Sequence, residues 1–195
     1  MALDTEEEQV EKIQNIWNSY KYLIISGFVV FFGVYFAYGF YTDQKIKKTE
    51  EASELYQEIL VKKRVDIDGI KEKIDLLKQN YSNTPYAARS AVYLSKLYSQ
   101  DSKNEEAIKE LIWASENAAE ESIQSMAYYN LANLYFVTNK LDEAMSSAKK
   151  INSIGFQTLA KDIIGDIYLK QGNKEEASKS YLDSLQSYKG RGDMR

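Results

Sequence analysis

Cysteine and histidine are both missing from this 195-residue chain. Their absence excludes thiolate and imidazole metal sites, thiol nucleophiles, and every catalytic arrangement that needs histidine as its base. It also excludes a disulfide framework and a lipid-modified cysteine, while leaving the redox compartment open. Proline occurs once and glycine nine times. Such a scarcity of breakers fits long helices joined by short turns rather than a sheet. Nor does one sign of charge dominate: from Thr42 onward there are 23 basic and 24 acidic residues. That part of the chain carries no electrostatic footprint for nucleic acid. No P-loop or dinucleotide glycine motif occurs.

What the chain does have begins with Tyr22–Tyr41, YLIISGFVVFFGVYFAYGFY, a run of twenty residues without a charge. As a helix it is about 30 Å long, the thickness of a hydrocarbon core. Trp17, Tyr20 and Tyr22 flank one end and Tyr38, Phe40 and Tyr41 the other, as an aromatic belt does. A buried core helix and a cleaved signal peptide are the alternatives. The run is too long for a signal-peptide core, and the leading MALDTEEEQVEKIQN is acidic where a basic leader is expected. We therefore read an uncleaved single span. Gly33 and Ala37 lie four apart and would let another helix approach closely. Lys12 and Lys21 precede the span, and Lys45, Lys47 and Lys48 follow it, a bias of one lysine toward a cytoplasmic C-terminal part.

Beyond the span, Lys45–Arg64 and Ile67–Gln79 are amphipathic, with Ala52, Leu55, Tyr56, Ile59 and Leu60 on one side of the first. Ile70, Ile74 and Leu77 form the apolar face of the second. NYSNTPY then interrupts, with Thr84 as a helix cap and Pro85 in the first helical position. Three helix pairs are expected to follow: 85–99 with 104–117, 123–138 with 141–150, and 155–171 with 174–189. The turns QDSKN, TNK and QGNK separate the members of each pair. The organisation is thus 1–21 before the span, 22–41 the span, 42–84 linking helices and 85–195 repeats, an all-α chain.

The pairs share a fixed skeleton. A small residue (Ser95, Ala132, Gly165) is followed three positions on by tyrosine (Tyr98, Tyr135, Tyr168), and nine beyond that by alanine (Ala107, Ala144, Ala177). The small residues let two helices cross closely, the tyrosine fills the gap at the turn, and each pair buries its outer face against the next. This pattern resembles the tetratricopeptide repeat. Leu94, Leu131 and Ile164 precede the small residue as in that repeat, whereas its tryptophan is replaced by Ala91, Tyr128 and Lys161. The resemblance implies a solenoid whose first helices line a concave groove. Its groove-facing offsets fall on Arg89, Val92, Lys96 and Ser99, on Tyr129, Asn133 and Phe136, and on Asp162, Asp166 and Leu169. Only Lys96 and Asn133 fit a carboxylate clamp, and the aspartates oppose one. Val92, Tyr129 and Phe136 suit an apolar peptide or helix, or else pack inside the solenoid. Asp162 and Asp166, one helical turn apart, are the sole candidate pair for acid–base work or a cation, against a solvated helix face.

The order of features, with TPYAARSAVYLSKLY and the ending GFQTLAKDIIGDIYLKQGNKEEASKSY, resembles the YfgM family over nearly the whole chain. That resemblance implies a bacterial inner-membrane protein, single-pass, with a cytoplasmic N-terminus and periplasmic repeats. It further implies association with the Sec translocon and a PpiD-like chaperone, and contact with unfolded client proteins, without cofactor, metal or catalysis. The chain departs from the family at SYKGRGDMR, where Tyr181, Leu182 and Leu185 lack the usual capping helix. The alternative reading is a structural scaffold or assembly factor for another membrane complex, associating through Gly33 and Ala37.

Overall fold

The computed structural model describes residues 6–61 and 66–192, with side chains for 8–61 and 66–188. Asp193–Arg195 of the polar tail, and Arg64 of the first linking stretch, lie outside the described residues. Eight helices and no strand occur among the described residues: α1 (Glu6–Val61), α2 (Ile67–Asn80), α3 (Pro85–Gln100), α4 (Asn104–Asn117), α5 (Glu121–Val137), α6 (Leu141–Lys149), α7 (Gln157–Lys170) and α8 (Lys174–Gly192). Two compact units divide the chain, Met1–Lys47 and Lys48–Arg195.

The first unit is helical from Glu6 and contains the uncharged run. Leu23, Phe28, Val30, Phe36 and Phe40 are all exposed, and the helix is long and apolar enough to cross a membrane. A soluble core helix buries such residues, so this one is built for another apolar surrounding. The amphipathic stretch expected to start a new helix at Lys45 is instead the last part of α1. No glycine or proline stands between Thr42 and Val61 to end it. The Thr42 hydroxyl donates back to the Tyr38 and Gly39 carbonyls (3.1 and 2.8 Å), so its polar group is satisfied without breaking the helix.

In the second unit, Ala52 and Ile59 of α1 meet Ile70, Ile74 and Leu77 of α2 and the inner face of α3 and α4 in one buried cluster. Asp66 caps α2 by accepting from the Gly69 N–H at 3.0 Å. Thr84 precedes Pro85 in extended conformation, but its hydroxyl donates to the Tyr81 carbonyl (2.7 Å) rather than capping α3. The pairs α3–α4, α5–α6 and α7–α8 then stack in sequence order. α5 starts two residues earlier than expected because the Glu120 carbonyl accepts from Ile123 and Gln124, and α7 starts two later, after a turn at 154–156.

The repeated skeleton has one structural explanation at each turn. The N–H of Lys103, Lys140 and Asn173 donates to the carbonyl of Tyr98, Tyr135 and Tyr168 respectively (2.9, 2.8 and 2.9 Å). One residue earlier, Ser102, Asn139 and Gly172 donate to Ser99, Phe136 and Leu169, and adopt φ of 60°, 62° and 84°. This is the same left-handed helix stop three times, which satisfies carbonyls the helix end leaves open. Ala107, Ala144 and Ala177 are almost wholly buried, as are Ser95 and Ala132. At Gly165 the crossing is close: a Cβ there would lie 2.5 Å from the Tyr181 ring.

Candidate functional site: a groove between the first two repeat helices

The space between α3 and α5, closed on one side by Tyr56 of α1, is a groove of about 680 Å³. Val92 and Tyr93 form the α3 wall, with Ile123, Met126 and Val137 along α5. Both walls follow the helical period, Arg89–Val92–Lys96–Ser99 on α3 and Met126–Asn130–Asn133–Val137 on α5. Two polar side chains on the walls are tied to their own helices. Ser95 donates to its own helix at Val92 (2.7 Å), and the Asn133 amide donates to the Tyr129 carbonyl (2.8 Å). Arg89 is held at one end by Glu120 (3.0 Å) and lies 6.0 Å from the centre of the Tyr86 ring. Burial, partly offset by the Arg89 charge and reinforced by Tyr93, pushes the Tyr56 phenol above its ordinary value, so it stays a neutral donor. Among the described residues no carboxylate lines the groove.

Five of the residues with groove-facing offsets meet here: Arg89, Val92, Lys96, Ser99 and Asn133. Tyr129 and Phe136 lie on the other flank of α5. They pack against the buried cluster formed by Ala132, Ala144, Ala148, Ile163 and Ile167. The Phe156 ring lies 6.4 Å from Tyr129, and the Lys170 ammonium sits 4.5 Å above Phe136 while donating to its carbonyl. Part of the second inter-helix space is therefore occupied from within the chain. Asp166 accepts from the Tyr181 hydroxyl at 2.7 Å, which with burial pushes that phenol up to about 12. Asp162 adds a weaker push on the same phenol, and Leu169 is exposed. Leu182 and Leu185 on α8 are also exposed. Gly33 and Ala37 stand in the first unit, where a Cβ on Gly33 would meet nothing within 4 Å. Among the described residues no group of three or more acidic, histidine or cysteine side chains is placed to hold a metal.

Sequence reasoning missed Tyr56, Tyr93, Met126, Asn130 and Val137. The signal was available for α5. Each first helix has two flanks, one toward the preceding first helix and one toward the next, and a single set of offsets selects one flank only. Nothing in the sequence periodicity brings Tyr56 of α1 to the same groove.

Stacked helix pairs with an open space between their first helices define a helical-repeat protein. The chain belongs to the tetratricopeptide repeat-like domain family, whose model matches residues 14–194. Its curated relatives include the ancillary SecYEG translocon subunit of Aggregatibacter actinomycetemcomitans, 29% identical over 96% of this chain and 92% of that protein. The protein of the same name from Haemophilus influenzae is 24% identical over 96% and 92% of the two chains. These relatives match nearly end to end, as the YfgM resemblance implies. Among solved structures, BtubC from P. vanneervenii superposes with a TM-score of 0.57 at 14% identity, over 65% of this chain and 56% of that one. MamA superposes with a TM-score of 0.51 at 20% identity, over 63% and 68%. Those two show the fold alone.

Proposed function

We propose that the protein is a non-enzymatic adaptor of the bacterial inner membrane, anchored by Tyr22–Tyr41. Its N-terminus is cytoplasmic and its repeats are periplasmic. It associates with the Sec translocon and holds newly translocated proteins, or a PpiD-like chaperone, in the α3–α5 groove. The open apolar groove is the observation that carries this reading, because an inward-collapsed solenoid would have nothing to hold. The whole-chain likeness to ancillary translocon subunits supports the translocon, and the orientation follows the YfgM resemblance against a bias of one lysine beside the span. Tethering keeps the groove at high effective concentration for emerging chains.

Protease added to intact spheroplasts tests the orientation, and digestion of the repeats from outside is expected. Protection until the membrane is broken refutes it. A photo-crosslinker at Met126 is expected to capture a secreted chain during translocation, whereas one at Phe136 is not. The open surface at Gly33 favours one other reading, a scaffold that assembles laterally in the membrane. Loss of complex formation in Gly33→Leu, with groove crosslinks intact, is its signature.

A further inference from the structure

The groove's charge is one-sided. Lys96 stands on the α3 wall, and among the described residues it forms neither an ion pair nor a side-chain hydrogen bond. The other cation, Arg89, is already engaged by Glu120. Among the described residues no aspartate or glutamate lines the space, although the chain as a whole is net acidic. On the α5 wall, among the described residues, the Asn130 carboxamide has no side-chain partner, and the Asn133 carbonyl oxygen is uncommitted because only its amide is used. The groove thus offers an apolar floor, one unpaired cation and two carboxamides one helical turn apart.

We infer that the α3–α5 groove selects short extended segments in which apolar residues surround an acidic side chain, the carboxylate lying against Lys96. This rests on the reading of the groove as the holding site. The lining of α3 from Arg89 to Ser99 spans about 15 Å, the length of four or five extended residues. Two carboxamides suit the exposed N–H and C=O groups of such a segment, which a helix would already have paired. Lys96 lies within the wall, with Arg89 and Val92 on one side and Ser99 on the other, so chain continues past it in both directions. That position calls for an internal aspartate or glutamate rather than a terminal carboxylate. A partly exposed ion pair of this kind separates acidic from neutral ligands by about fivefold.

The test uses the full chain in detergent micelles and three labelled peptides, acetylated and amidated, of leucine and valine around a central aspartate, asparagine or lysine. Fluorescence anisotropy is expected to rank them aspartate, asparagine, lysine, with about a fivefold first step. In Lys96→Ala the aspartate and asparagine peptides should bind alike, and in Lys96→Glu the order should reverse. Equal binding to the native chain, or a preference that survives Lys96→Ala, overturns the inference. Asn130→Trp, which fills the space, separates the two levels of failure. If it abolishes equal binding of the acidic and neutral peptides, the groove stands and the acidic preference falls. If the peptides still bind to it, the groove is not the holding site and both readings fall.

Discussion

Replacing Gly165 by alanine should change sign according to what stands at residue 181. In a bare helix interior the exchange favours folding by about 1 kcal/mol. Here the new methyl would lie 2.5, 2.7 and 2.9 Å from Cε1, Cδ1 and Cζ of Tyr181. The ring cannot swing aside freely, because its hydroxyl is bonded to Asp166 on the same helix as the glycine. Overpacking of this kind costs about 1–3 kcal/mol, and losing the hydroxyl bond adds about 1. The net expectation is a destabilisation of about 1–3 kcal/mol. In a Tyr181→Ala background the ring is gone, and Gly165→Ala should then stabilise by up to about 1 kcal/mol. The coupling between the two sites, about 2–4 kcal/mol, follows from four urea titrations of the full chain in micelles, monitored by far-ultraviolet circular dichroism. Equal effects of Gly165→Ala in both backgrounds would refute the close-crossing account of the small residue in the repeat.

The turn geometry makes a second prediction: Ser102 holds φ of 60°, so Ser102→Gly should raise stability by about 0.5–1 kcal/mol, whereas Gly172→Ala should lower it by about 1. Identical urea midpoints for both variants would contradict this. The Lys78–Glu110 ion pair joining α2 to α4 is mostly buried, and its ammonium lies 4.9 Å from the Trp113 ring. Glu110→Ala should cost about 2–3 kcal/mol, while Lys78→Met with Glu110→Leu should be near neutral, both read from thermal melts. For Tyr181, the folded phenol titrates at about 12 against an ordinary value of 10.0. Its contribution is therefore complete below pH 10 and lost as pH rises through 12, so the stability gap between native chain and Tyr181→Phe should close over that window. A gap that stays constant from neutral pH upward would rule out the Asp166 bond as the cause.

The repeat could be seen in the sequence because it is imposed by local geometry. A small residue, a tyrosine and an alanine at fixed offsets describe one crossing and one helix stop, and the structure makes that stop with the same two hydrogen bonds at all three turns. The exposed apolar run was equally plain, since twenty residues without charge leave little else to be. Length and continuity of α1 were less visible. An amphipathic stretch after a span looks like a new element, yet no glycine or proline intervenes to break the helix.

The candidate site was only half visible, and the reason lies in which flank of α5 faces which neighbour. Val92 and Tyr129 are equivalent in the repeat, 37 positions apart, as are Ser99 and Phe136. Symmetry alone gives the two spaces, α3–α5 and α5–α7, the same character. Phe156 breaks that equivalence. It follows the short helix α6 in a loop tied to α5 by the Ser153 N–H donating to the buried Ser125 hydroxyl (3.0 Å), and its ring reaches Tyr129. Lys170 covers Phe136 from the other end. The first space has no such insert, since α4 runs nearly to α5 and the intervening Ala118–Glu120 carries no aromatic side chain. The partly occupied second space and the open first one support the proposed holding site at Val92, Lys96, Met126 and Asn130 over one at the aromatic pair.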